Sequence, residues 1–308
     1  MTAFLFNVDL KRAPVFAEAF ARELPHVRFV TDKTTVDPAT VRYFLTWLAP
    51  DDLTRYPNLE VVFSIGAGVD QIDLDRVPAH LKLVRTVDDS IVRMMQEYAT
   101  LAVLALHRDL PDYIAAKAKA EWKALPVRQA ADRRIGVLGL GSLGQAVIER
   151  LSVFGFPISG WSRTPKTIPH VTCFHGADQF DAFLAQTDLL ICMLPLTPPT
   201  TGILNAATFA KLPHGASLVH MGRGGHLDQD ALLKSLDSGQ LSAAFMDVTN
   251  PEPLPVDHPI WRHPKIVLTP HIASITPSDR AARAVIDNIK RHEGGSEMIG
   301  LVDRSLGY

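Results

Sequence analysis

The chain has 308 residues, long enough for two domains, and its 47% hydrophobic and 21% charged residues are the ordinary balance of a globular enzyme with a full core. A formal net charge of -2 with no dense basic stripe argues against nucleic acid as the main partner. Asp9 comes too early for a secretory leader and the longest apolar stretch, Leu101 to Leu106, is too short for a bilayer, so the expectation is a cytoplasmic protein with no membrane partner.

From the N-terminus, short apolar runs alternate with helical patterns. Phe4 to Val8, Val27 to Val30, Tyr43 to Trp47, Val61 to Ile65 and Leu81 to Val84 read as strands, an alternation that builds a parallel sheet. Ser90 to His107 places Ile91, Met94, Met95, Tyr98, Leu101, Ala102 and Ala105 at helical spacing, so a long helix leads out of this first lobe, capped by Asp89 or Ser90. Beyond Pro111, a polar helical stretch runs through Lys117, Lys119 and Trp122.

The chain is organised around the segment that follows. Ile135, Val137 and Leu138 form a strand-length run, Gly139-Leu-Gly-Ser-Leu-Gly144 comes next, and Ala146, Val147, Ile148 and Leu151 continue at helical spacing. In such a strand, turn and helix, Gly139 permits the sharp turn, Gly141 lets a pyrophosphate approach bare backbone, and Gly144 lets the helix pack on the strand. The helix start at Ser142 and Leu143 then faces the phosphates. Phe156 to Trp161 reads as the next strand, and the ribose position about 20 residues beyond the last glycine falls on Ser162-Arg163. A dinucleotide without a 2′-phosphate calls for an acid there; a guanidinium with Lys166 nearby suits the phosphate, so NADPH is expected over NADH.

Further strands are expected at Leu189 to Leu194, Ala216 to His220, Ala243 to Val248 and Ile266 to Thr269. A helix over Leu227 to Leu236 stops at Gly239. A final helix starts at Thr276-Pro-Ser-Asp279, with Thr276 as cap, and ends at Gly294-Gly295. The fold class is therefore α/β, with two Rossmann-like lobes built on parallel sheets. The nucleotide lobe, 99–275, is inserted into a substrate lobe of 1–98 with 276–308, and ligands bind at the carboxyl ends of strands.

Three segments after the glycine turn suggest a reaction. Met221-Gly-Arg223-Gly-Gly sets a guanidinium among glycines behind a buried strand, Asp247-Val-Thr-Asn-Pro-Glu252-Pro sets a carboxylate in a proline-fixed loop, and Thr269-Pro-His271 ends the last strand on an imidazole. A 2-oxo acid needs a cation for its carboxylate, a proton donor at its carbonyl oxygen and a hydride at C2; Arg223, His271 and a nicotinamide supply these. Glu252 would pair with the imidazole, orient it and favour its protonated form. Cys173 and Cys192 stand outside metal-like spacing and read as free thiols. His258, His263 and His271 are separated by prolines that break any shared helical face, so no metal is expected.

The glycine turn, the Arg223-Gly pair, Asp247 with Glu252-Pro, and Pro270-His271 together resemble the D-isomer-specific 2-hydroxyacid dehydrogenases. Trp47-Leu-Ala-Pro, Phe63-Ser-Ile-Gly-Ala-Gly-Val-Asp70, Met95-Gln-Glu-Tyr98 and Gly160-Trp-Ser-Arg-Thr-Pro-Lys166 look most like the glyoxylate/hydroxypyruvate reductases of the A type. The resemblance implies a catalytic trio of Arg223, Glu252 and His271 in a homodimer. It also implies that Gly66, Ala67 and Gly68 offer backbone N–H groups to the substrate carboxylate and that Trp47 walls the substrate pocket. Leu194, Pro195, Thr200 and Gly222 would line the cofactor, and Asp247 would hold the nicotinamide carboxamide. One departure is His220, where many members of the family carry Asn. The activity implied is reduction of glyoxylate to glycolate and of hydroxypyruvate to D-glycerate. The alternatives are a reductase of bulkier 2-oxo acids such as phenylpyruvate, or a non-catalytic nucleotide sensor similar to dehydrogenase-like corepressors.

Overall fold

The computed structural model describes residues 1–49 and 52–304. In chain order, the strands and helices of the first part are β1 (Thr2–Asn7), α1 (Ala13–Glu23), β2 (Val27–Val30), β3 (Val41–Thr46), β4 (Val61–Ser64), β5 (Lys82–Arg85), α2 (Asp89–His107) and α3 (Leu110–Ala118). Then follow β6 (Ile135–Leu138), α4 (Ser142–Ser152), β7 (Ile158–Ser162), β8 (Thr172–His175), α5 (Phe180–Ala185), β9 (Leu189–Cys192), α6 (Ala206–Lys211) and β10 (Ala216–His220). The chain ends with α7 (Gln229–Ser238), β11 (Leu241–Met246), β12 (Ile266–Leu268) and α8 (Ser278–Glu293). It divides into two compact units, Met1–Ile91 with Ile275–Tyr308, and Val92–Ser274. The first break falls in the first turn of α2, ahead of the 98/99 boundary read from the sequence.

The first unit holds a parallel sheet in the order β2-β1-β3-β4-β5. Successive side chains of a strand face opposite ways, and both faces are covered here. Phe4, Phe6, Tyr43 and Phe63 pack with Phe16 and Phe20 of α1 and with Val285, Ile286 and Ile289 of α8, whereas Ala3, Leu5, Phe44 and Val62 enter a second cluster with Tyr56 and Leu59. The apolar runs are therefore continuous rather than alternating. At the end of α8, His292 meets the Tyr43 hydroxyl at 3.3 Å, and burial pushes that phenol up to about 12.

The second unit holds seven parallel strands in the order β12-β11-β10-β9-β6-β7-β8. The chain starts at β6, runs outward through β7 and β8, then returns to build β9 to β12 on the other side. The order reverses between β6 and β9, and such a switch point opens a crevice at the carboxyl ends of the strands. No helix among the described residues is long and apolar enough to cross a membrane.

The structure corrects several local expectations. The acceptor at the start of α2 is Asp88, whose carboxylate takes the Ser90 N–H at 2.8 Å, rather than Asp89 or Ser90. α3 ends at Ala118, before Lys119 and Trp122, because Ala120 turns left-handed at φ 56° and the Glu121 N–H folds back to the Ala116 carbonyl. Thr276 does not cap α8: Pro277 occupies that position without a side-chain hydrogen bond, while the Thr276 carbonyl accepts from Arg12. β8 was not foreseen, since an edge strand that is only partly buried carries little apolar signal.

Candidate active site

At the switch point, Gly139 has φ 106°, a conformation that side chains resist, and its N–H donates to the Trp161 carbonyl at 2.9 Å. A Cβ on Gly144 would overlap the Gly139 carbonyl oxygen, so glycine is what lets α4 begin so close to β6. Gly141, by contrast, faces open space. It is the N-cap of α4 and brings no side chain to the first turn, which leaves the N–H groups there, including Ser142 and Leu143, suited to an anion. β7 pairs with β6 in register, Trp161 opposite Leu138, so Ser162, Arg163 and Lys166 follow at the same end of the sheet. Arg163 and Lys166 are exposed, and among the described residues their side chains make no ion pair or hydrogen bond; the Ser162 hydroxyl donates to the Thr164 carbonyl at 2.8 Å. These features fit a dinucleotide phosphate chain.

Three neighbouring strands deliver the residues of the expected trio. β10, β11 and β12 lie side by side with His220 opposite Met246 and Met246 opposite Leu268, so the loops carrying Arg223, Glu252 and His271 leave one edge of the sheet together. The His271 Nδ1–H donates to Glu252 Oε2 at 2.8 Å, and Glu252 Oε1 accepts the Thr249 N–H at 3.0 Å. Burial raises the Glu252 pKa, but the bonds from His271 and Thr249, with Arg223 nearby, outweigh it and hold the carboxyl below its ordinary value. Gly224 is pressed against the Thr249 carbonyl, where no Cβ fits, which sets the Arg223 turn directly on the loop that leads to Glu252.

His271 itself sits at φ 55°, an uncommon conformation for a residue with a side chain. Asp247 over-determines it. The Asp247 carbonyl takes the His271 N–H at 2.8 Å, and its carboxylate, 2% exposed, accepts from Thr269 Oγ1 (2.7 Å), Ile272 N–H (2.7 Å) and Ala273 N–H (2.8 Å). Tyr98 meets the Thr269 hydroxyl behind this network. That Asp247 staples the His271 loop has no signature in the sequence, because its partners are mostly backbone N–H groups.

Around the same strand ends, Leu194 and Pro195 follow β9. The Pro195 carbonyl accepts from Thr200 Oγ1 at 2.7 Å, so the Thr200 hydroxyl closes its own loop. Gly222 leaves room for the His226 ring, which a Cβ would crowd. In the first unit, Trp47 follows β3 and lies over Gly66, where an added Cβ would meet its ring. The Gly66 N–H donates to Ser64 Oγ at 3.3 Å, whereas among the described residues the Ala67 and Gly68 N–H groups have no partner. Pro50, the end of the Trp47-Leu-Ala-Pro run, lies outside the described residues.

The NAD-binding domain pattern of the D-isomer specific 2-hydroxyacid dehydrogenases matches residues 100–273. The chain is also 43% identical over 279 residues to the glyoxylate/hydroxypyruvate reductase A of Serratia proteamaculans, covering 88% of this chain and 89% of that one. The chain belongs to the D-isomer specific 2-hydroxyacid dehydrogenases. Among solved structures of this family, one from Xanthobacter autotrophicus in complex with NADPH and MES matches with a TM-score of 0.91 and 38% identity over 100% of this chain and 99% of that one. An NADPH-dependent glyoxylate/hydroxypyruvate reductase from Sinorhizobium meliloti, in complex with NADP and sulfate, matches with a TM-score of 0.89 and 35% identity over the full length of both.

In this D-2-hydroxyacid dehydrogenase His220 is fully buried at the end of β10. Burial, with His226 adding to it against the bond to the Arg223 carbonyl, pushes the His220 pKa down from 6.5 to about 3. Between those values only the unfolded chain takes up the proton, so stability falls as pH drops below about 6.5, by something on the order of 2 kcal/mol at pH 4.5. His220→Gln removes this titration. The urea midpoint of the wild type should therefore fall more steeply than that of His220→Gln between pH 7 and 4.5, and parallel curves would refute the assignment.

Proposed function

We propose that this dehydrogenase reduces small 2-oxo acids with NADPH, glyoxylate to glycolate and hydroxypyruvate to D-glycerate, with NADH a weaker donor. The observation that carries the reading is the His271–Glu252 hydrogen bond of 2.8 Å on a loop edge shared with Arg223. When bound, NADPH supplies the hydride that C2 accepts. Arg223 binds the carboxylate end of the substrate and polarises its carbonyl. With Nδ1 committed to Glu252, His271 has Nε2 to give a proton to the carbonyl oxygen, so hydride and proton together turn C=O into CH–OH. Glu252, kept ionised, holds the imidazole in orientation and offsets the positive charge it carries before transfer.

Gly139, Gly141, Ser142, Leu143 and Gly144 would hold the diphosphate, and Ser162, Arg163 and Lys166 the 2′-phosphate. Leu194, Pro195, Thr200, Gly222 and Asp247 would line the nicotinamide side. In the other unit, the N–H groups of Ala67 and Gly68 suit a carboxylate, with Gly66 setting the turn and Trp47 limiting substrate size. The relatives support the small acids and the phosphorylated cofactor: the Serratia protein is named for glyoxylate and hydroxypyruvate, and the Xanthobacter structure holds NADPH. The protein acts in the cytoplasm, in keeping with the two free thiols Cys173 and Cys192, and works as a homodimer. What supports the dimer reading is a groove on α2, α3 and α4 where Leu101, Leu104, Leu110, Tyr113 and Phe154 lie among the charged Arg93, Glu97, Arg108 and Arg150.

Initial rates of NADPH and NADH oxidation with glyoxylate, hydroxypyruvate and phenylpyruvate test the reading, together with the mass in solution. Fast turnover with NADPH and the two small acids is expected, from a species of twice 33.8 kDa. Preference for phenylpyruvate would move the substrate to bulkier acids. No turnover with any pair, despite NADPH binding, would make the protein a nucleotide sensor.

A further inference from the structure

Two buried histidines outside the reactive trio hold the backbone of Arg223 from both sides. His220 Nε2 lies 2.9 Å from the Arg223 carbonyl oxygen. A carbonyl only accepts, so this nitrogen carries the hydrogen. His226 Nδ1 lies 3.0 Å from the Arg223 N–H and must accept, which places its own hydrogen on Nε2, 3.2 Å from the Pro195 carbonyl. The Arg223 carbonyl also receives the His226 backbone N–H at 3.0 Å, so both of its acceptor sites are used. The two rings meet edge to face with centroids 5.8 Å apart, and both residues are 0% exposed.

We propose that His220 and His226 are positioning residues that clamp the peptide groups flanking Arg223 and so fix where its guanidinium meets the substrate. The inference rests on the anchoring role proposed for Arg223. Neutral histidines suit this place, because His226 Nδ1 can accept the Arg223 N–H only while it carries no proton. The clamp has a cost: His220 Nδ1 is buried with no partner, an arrangement retained here for the bond made by the opposite ring nitrogen. His226 extends the clamp to Pro195, so the anchor and the loop after β9 are tied through one ring.

Cys192 completes a buried group in which its sulfur and one ring nitrogen from each histidine lie within 4.8 Å of one another, a donor set that also suits a thiophilic metal. Three of the four ring nitrogens are already bonded to backbone, which favours the clamp over a metal site.

The test is glyoxylate kinetics at saturating NADPH for wild type, His220→Leu, His220→Gln, His226→Asn and Arg223→Ala, with NADPH affinity measured separately by fluorescence. Gln reaches as far as Nε2 and keeps the donor to the Arg223 carbonyl; Asn at 226 keeps the acceptor for the Arg223 N–H and gives up the bond to Pro195. His220→Leu is expected to lower kcat/KM about 10- to 100-fold, mostly through KM, with NADPH affinity changed less than about threefold. His220→Gln and His226→Asn should each stay within about fivefold of the wild-type kcat/KM, a comparison that does not need a folded His220→Leu variant, and a larger loss in a folded His220→Gln would overturn the clamp. Equal losses in Leu and Gln would overturn the clamp in favour of plain packing, and one equivalent of tightly bound zinc released by Cys192→Ser would overturn it in favour of a metal site. Full activity in Arg223→Ala would instead defeat the proposed substrate anchor itself.

Discussion

Replacing His271 by alanine is expected to lower kcat for glyoxylate reduction by about 10²- to 10⁴-fold, the usual contribution of a positioned acid, with NADPH affinity nearly unchanged. Residue 271 is held at two points: the ring Nδ1 by Glu252 at 2.8 Å, and the backbone N–H by the Asp247 carbonyl at 2.8 Å. Neither support brings a second proton donor to the place that Nε2 occupies. Because residue 271 is left-handed, the substitution also changes backbone preference, and His271→Asn is the control, since Asn tolerates that region and lacks an acid of suitable strength. Both variants should be inactive while binding NADPH. Glu252→Gln keeps an acceptor for Nδ1–H but removes the charge, so a smaller loss is expected. Single-turnover rates with bound NADPH read the chemical step directly, and wild-type rates in either His271 variant would end its role as the acid.

How much of this was legible beforehand divides along physical lines. The parallel sheets, the glycine turn and the loops carrying Arg223, Glu252 and His271 were readable because buried strands leave long apolar runs and because glycine marks places where backbone must come close. Gly144 against the Gly139 carbonyl and Gly224 against Thr249 are such places. What the sequence hid was the support beneath the proposed trio. Asp247 binds backbone N–H groups of residues 25 and 26 positions away, and His220 binds the carbonyl of Arg223, contacts that have no composition or period of their own. Helix ends were likewise set by partners outside the helical pattern, Asp88 at α2 and the left-handed Ala120 after α3.

The second large effect is expected at Arg163. The first helical turn after Gly141 suits the diphosphate of either nicotinamide cofactor, so the diphosphate cannot distinguish them, and discrimination falls to whatever meets the 2′ position. In this chain that region reads Ser162-Arg163-Thr-Pro-Lys166, with no carboxylate to accept from ribose hydroxyls and two cations whose side chains have no partner among the described residues. A guanidinium facing a phosphate dianion makes charge-assisted hydrogen bonds worth about 1.5–3 kcal/mol, reduced by solvent at an exposed position, so Arg163→Ala should raise the NADPH KM by about 10-fold or more. NADH offers no charge there, and its KM should move less than about threefold. Lys166→Ala should act in the same direction with a smaller effect, since an ammonium on a flexible stem does not grip a phosphate in two-pronged fashion. Arg163→Asp goes further: the new carboxylate repels the phosphate and accepts from ribose hydroxyls, so the ratio of kcat/KM for NADPH to that for NADH should invert. Equal losses with both cofactors in Arg163→Ala would place the guanidinium outside phosphate recognition and assign its effect to the shape of the loop after β7.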